Sequence, residues 1–182
     1  MGPSTTVGEL LAAVSAPTPA PGAGAVVAVT AALAASLAAM SAGSSSRELP
    51  DADALVARAE EARDRLLPLA QQDGEVYADV LTARRRPASP DRDAPLRAAL
   101  ERASEVPLEL ARAAAEVAQV ADRVVAEGNP HLRGDAETAG LLARTALTAA
   151  VGLVEANLSR TDPDHPSLVE ARSLAARVSA TR

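Results

Sequence analysis

Residues 23–42 run for 20 positions without a charge, a proline or an aromatic ring, and half of them are alanine. Alanine is the best helix former, and leucine stands close behind. The stretch therefore predicts a helix over roughly Ala23–Ala42. Its length also matches a membrane span. Ala, Gly, Ser and Thr give it little transfer energy, and no Lys or Arg occurs before Arg47 to supply a basic flank. The expectation is a buried helix in a soluble, cytoplasmic bundle, with no membrane partner.

The rest of the composition points the same way. The chain has 182 residues and no Cys, Trp, Phe, Ile or Lys, and its one aromatic residue is Tyr77. The residues that favour strands are nearly missing, so the predicted class is all-α: a single-domain helical bundle over residues 1–182 with a central Ala-rich helix. A core of Ala, Val and Leu buries little area per contact. Helix packing between two subunits, a homodimer, is expected to supply part of the core. The net charge of −6 argues against nucleic-acid binding. Two histidines and no cysteine offer little for a metal site, so no metal is expected.

Along the chain, Ser4 or Thr5 is predicted to cap a short helix bearing Glu9, Leu10, Leu11 and Val14. Pro17, Pro19 and Pro21 then impose a stiff loop. A third helix is predicted from Asp51 or Asp53, with Leu55, Ala59, Ala62, Leu66, Leu69, Val76 and Val80 on one face and Pro68 kinking or splitting it. After the break at Arg84–Pro90, a short helix over about Arg92–Ser104 is expected. Pro107 should open a separate one, running to about Glu127. Gly128-Asn129-Pro130 stops it, a helix restarts near Asp135, and a last one spans about Ser167–Val178.

Four segments carry candidate chemistry. Gly22 and Gly24, after Pro19, allow positive φ and close approach of a ligand where helix N–H groups attract anions. Asp73 and Tyr77 are four apart and share a helix face, pairing a carboxylate with the only phenol. The Gly128–Asp135 segment holds Asn129, His131 and Asp135, with helix capping as the plain alternative for Asp135. Asn157 interrupts an apolar helical stretch, facing either a neighbouring helix or ligand, or solvent.

Taken in order, these segments resemble the cyclodeaminase/cyclohydrolase family of folate enzymes. The matching motifs are Ser15-Ala16-Pro17-Thr18-Pro19, the Ala-rich run ending in Met40, Asp73 with Tyr77, Val106-Pro107-Leu108, Gly128-Asn129 with Asp135-Ala136, and Asn157-Leu158. The resemblance implies a tetrahydrofolate substrate carrying a one-carbon unit, either a formimino group to be deaminated or a methenyl group to be hydrolysed. No metal or redox cofactor is implied. It makes Asp73 and Asp135 the expected acid–base residues and Pro19, Gly22, Gly24, Arg47, Tyr77, Asn129 and Asn157 the expected substrate contacts. Arg47 or Arg84–Arg86 would hold the anionic folate tail. Where the family reads Pro-Gly-Gly-Gly-Ser, this chain has Pro19-Ala20-Pro21-Gly22-Ala23-Gly24-Ala25. Ser44-Ser45-Ser46-Arg47 replaces a Lys-rich stretch. Those departures motivate a second reading, an inactive helical binding or scaffold module of the same fold.

Overall fold

In the computed structural model, which describes residues 5–85 and 90–179 (the backbone only at 90–92 and 179), the described residues form an all-helical fold. Six α-helices follow in order among the described residues: α1 (Val7–Ser15), α2 (Ala23–Gly43), α3 (Ala52–Arg84), α4 (Pro90–Glu127), α5 (Arg133–Leu158) and α6 (Pro166–Ser179), with a 3₁₀ turn at Pro130–Leu132 before α5.

The Ala-rich run forms α2 within a residue of its predicted bounds. Helix α2 packs on α3, α4 and α5, burying Ala25, Ala28, Ala31, Ala34, Ala35, Ala38 and Ala42 completely. Side chains this small let the helix backbones approach closely, and the bulk comes from Leu66, Leu110, Val117, Val120, Leu147 and Val154 on the neighbouring helices. Length and composition alone would let α2 or the Pro130–Leu158 stretch cross a membrane. Here α2 is instead a core element with one open side.

Local signals were more exact than the predicted boundaries. Helix α1 is capped by Thr6, not Thr5. Its hydroxyl accepts the Glu9 N–H at 3.2 Å, and the Glu9 carboxylate accepts the Thr6 N–H at 2.7 Å. This reciprocal box needs Ser or Thr three residues before Glu, a spacing that only Thr6 meets. Ser4 lies outside the described residues. The stripe from Leu55 to Leu69 is buried along α3 together with Val80, while Val76 is half-buried.

Two prolines behave differently from expectation. Pro68 neither splits α3 nor ends it, and Pro107 lies within one continuous α4. A proline at 107 leaves the Ala103 carbonyl without its helical donor. The Asn157 side chain, from α5, supplies that donor: Nδ2 reaches the Ala103 oxygen at 3.0 Å. The lost bond is replaced from outside the helix, so α4 runs on through the proline. At the far end, Arg112 of α4 grips Glu170 of α6 with two 2.7 Å bonds.

Candidate active site

The chemistry-bearing groups gather where the N-terminus of α2 meets the second half of α3, the middle of α4 and the end of α5. A cavity of about 350 Å³ opens there, lined by Pro19 and Gly22–Gly24, by Asp73, Val76, Tyr77 and Arg84 from α3, by Ala103 and Pro107, and by Leu153, Ala156 and Asn157. The volume suits a small organic ligand.

Asp73 is the centre of this arrangement. Its carboxylate sits directly over the first turn of α2 and accepts the Ala25 N–H. Gly24 makes that possible. A Cβ on residue 24 would lie 2.0 Å from Asp73 Oδ1 and 2.2 Å from its Cγ. Gly24 is therefore required by close approach, and what approaches is the protein's own carboxylate. Positive φ has no part in it, since no described residue, glycine included, adopts one. Helix α2 has no acidic residue in its first turn and no side-chain cap at Gly22. Asp73, reaching across from α3, takes the place of both and complements the positive end of the helix dipole.

Burial opposes ionisation of this group. Removal from water raises the Asp73 pKa above its ordinary value, and the Ala25 N–H offsets only part of the rise. The result is a half-buried carboxyl that holds its proton more readily than a surface aspartate and faces a cavity. A carboxyl so shifted and so placed is a candidate acid–base group.

The helical spacing of Asp73 and Tyr77 does put both on the cavity, with Tyr77 37% exposed at its wall. Pro19 and Gly22 form the loop side; the Ala20–Pro21 peptide is cis. Gly74 packs beneath that loop, where a Cβ would lie 3.2 Å from the Ala20 Cβ. Asn157 lines the cavity and bonds the neighbouring helix, which resolves the alternatives left open for it. Arg84, exposed in the last turn of α3, is the cation among the described lining residues; Arg86 lies outside the described residues.

Asp135, Asn129 and Arg47 are not at this cavity. Asp135 is in the first turn of α5, about 33 Å from Asn157 at 1.5 Å per helical residue. Asn129 braces the other end of α2. Its backbone N–H donates to Ser45 Oγ at 3.0 Å, its Nδ2 to the Ser44 carbonyl at 3.3 Å, and its Oδ1 accepts the His131 N–H at 3.0 Å. Gly128 is required beside it, because a Cβ there would meet the Val124 carbonyl at 2.6 Å. Arg47 and His131 are exposed at that same end. Within one chain, then, the predicted residues fall into two groups at opposite ends of α2 and α5. Among the described residues, no three His, Cys, Asp or Glu side chains gather to hold a metal ion.

Val76, Ala103, Pro107, Leu153 and Ala156 also line the cavity, though none was among the predicted substrate contacts. Their helical register was readable, but which helices meet was not.

The sequence matches the formiminotransferase-cyclodeaminase family over residues 6–173. The chain belongs to that family. Its fold is that of the formiminotetrahydrofolate cyclodeaminase from Thermotoga maritima, whose crystal structure superposes with a TM-score of 0.88 at 26% identity, over 98% of this chain and 92% of that one. No curated protein sequence matches. Family membership and the shared bundle agree with the resemblance drawn from the motifs.

Proposed function

We propose that this chain is a folate one-carbon enzyme, and that it releases ammonia from formiminotetrahydrofolate to give the methenyl form. The reading rests on the family, on the activity of the solved Thermotoga maritima relative, and above all on one observation in this chain: a half-buried carboxyl, Asp73, held on the α2 N-terminus and facing a cavity.

The reaction asks for a group of that kind. The formimino group reacts as its protonated amidinium, with its carbon bonded to N5 of the pterin and to the NH2 nitrogen that will leave. N10 attacks that carbon, forming the second ring C–N bond, and gives up its proton. The bond from carbon to the departing nitrogen breaks, and that nitrogen must gain a proton to leave as ammonia. Asp73, ionised, takes the N10 proton; protonated, it returns one to the departing nitrogen. Burial raises its affinity for a proton above that of a surface aspartate, which favours the protonated form that the second step needs. The product is a delocalised cation across N5 and N10, and the returned negative charge of Asp73 faces it. Tyr77 and Asn157 supply wall and polar contacts for the pterin, and Arg84 an electrostatic partner for the glutamate tail. Of the two alternatives for the tail, Arg47 or Arg84–Arg86, we take Arg84, which lines the cavity.

The test is a direct assay. Formiminotetrahydrofolate incubated with the pure protein should release ammonia in step with the rise of methenyltetrahydrofolate absorbance. Consumption of added methenyltetrahydrofolate with no ammonia release from the formimino compound would make it a cyclohydrolase. Neither reaction above the uncatalysed rate would make it a binding or scaffold module.

A further inference from the structure

Proline in the interior of a helix forfeits one backbone bond and crowds the preceding turn. Pro68 and Pro107 meet that loss in different ways. Pro68 of α3 is exposed, and so is Asp64, whose carbonyl it leaves without a helical donor, so water takes the place of the lost bond. Pro107 of α4 is fully buried, and Ala103, whose carbonyl it orphans, is only 5% exposed. There the donor comes from another helix: Asn157 of α5 places Nδ2 3.0 Å from the Ala103 oxygen.

That bond fixes more than the continuity of α4. The two ends of an asparagine amide are alike in shape, but only the nitrogen donates. The Ala103 carbonyl only accepts, so Nδ2 must face it and Oδ1 must turn away. Pro107, Ala103 and Asn157 all line the Asp73 cavity. Among the described residues no protein group donates to Oδ1, and this oxygen is not sealed from solvent. On either side of it Val154 and Leu158 are completely buried, which holds this turn of α5 in place.

We infer that Pro107 is a positioning residue of the site: by withholding an N–H from the Ala103 carbonyl, it makes that carbonyl the anchor of Asn157 and leaves Oδ1 facing the cavity as a hydrogen-bond acceptor. With any other residue at 107, the Ala103 oxygen regains its ordinary bond from the N–H four residues on. The amide is then free to turn either end to a ligand. The ligand group that fits the fixed amide is an N–H donor. A reduced pterin carries several, on its amino group and its rings, so Asn157 sets which way round the pterin lies while Asp73 handles the protons. The pterin as the source of that donor rests on the function proposed above; the orientation of Asn157 does not.

The orientation is read without any ligand. The chain has two asparagines, Asn129 and Asn157. Isotope-labelled asparagine therefore gives two side-chain amides by NMR, told apart with Asn157→Leu. Asn129 also donates to a carbonyl, that of Ser44, and serves as the reference for an intact fold. Pro107→Ala should move the Asn157 amide protons towards the positions of a solvated asparagine and speed their exchange with water, while Asn129 stays as it is. Pro107→Val, which keeps more of the buried bulk, should act alike. An Asn157 amide that neither substitution moves would overturn the positioning role.

The acceptor is read by calorimetry at neutral pH with tetrahydrofolate formylated at N5, which keeps the pterin N–H groups and has no nitrogen to release. Pro107→Ala should weaken binding about 3–10-fold, the usual worth of one hydrogen bond. Asn157→Asp sets an acceptor against the Ala103 carbonyl and should weaken it at least as much. Combined with Pro107→Ala, the same Asn157→Asp should do no further harm, because the carbonyl has its helical donor back and a carboxylate still offers the ligand an acceptor. Asn157→Leu should weaken binding in both backgrounds, even where Pro107→Ala restores its stability. A Pro107→Ala/Asn157→Leu chain that binds as tightly as the wild type would overturn the acceptor role, and so would Asn157→Asp doing equal harm in both backgrounds. A wild-type chain that binds no folate, with its Asn157 amide still answering to Pro107→Ala, would overturn the proposed function and leave the positioning intact.

Discussion

Gly24 and Asp73 are best understood as one unit. Neither residue explains itself: the glycine has ordinary backbone angles, and the aspartate is one acid among 24. Together they seat a carboxylate on a helix N-terminus with no room to spare. Gly24→Ala should cost about 1–3 kcal/mol in urea unfolding, the usual range for forcing extra bulk into a packed site, and should abolish turnover. Asp73→Ala should remove most of that penalty when the two are combined, a coupling that a double-mutant cycle measures directly. The pH dependence follows from the same contact. In the folded chain the Asp73 pKa lies above 3.8, its ordinary value, so the folded state binds that proton more tightly than the unfolded state. The stabilisation is complete below 3.8 and is lost as the pH rises through the raised value. Asp73→Asn, which cannot ionise, should therefore gain stability relative to the wild type between pH 3 and pH 7. Equal shifts at both pH values would contradict the raised affinity. From sequence, i,i+4 spacing placed Asp73 with Tyr77, but not that the aspartate would seat on a helix beginning some fifty residues earlier. That contact is long-range, and no local pattern encodes it.

At the scale of elements, α2 was legible almost to the residue because composition and period agree there. Helix α4 was not, since Pro107 carries a strong local signal to start a helix and the structure overrides it. The override is a single bond from Asn157 to the Ala103 carbonyl. Asn157→Leu should leave that carbonyl without a donor and cost about 1–3 kcal/mol. Restoring a backbone N–H with Pro107→Ala in the same chain should recover most of the loss, by thermal or urea unfolding. If the double variant is as unstable as Asn157→Leu alone, the asparagine's part in stability lies elsewhere. Turnover should stay low in both, because Asn157 also lines the cavity. One side chain thus joins the continuity of α4 to the wall of the site.

At the scale of the molecule, the all-α class was readable from what the chain lacks, and the family from the order of its motifs. The distribution of those motifs in space was not. Asp135, Asn129 and Arg47 share a resemblance with Asp73 and Asn157 but stand at the other end of the bundle. The departures in the loop prove local in kind: Pro21 and Ala23 alter its sequence, while Gly24 keeps the approach that Asp73 needs. The central claim, that Asp73 moves the protons in a folate cyclodeamination, is tested most directly by the kcat of Asp73→Asn on formiminotetrahydrofolate beside that of the wild type. A fall of about 10²–10⁴-fold in kcat, with the folded state and KM little changed, is the expected result for a lost acid–base group. A variant that turns over as fast as the wild type would contradict it.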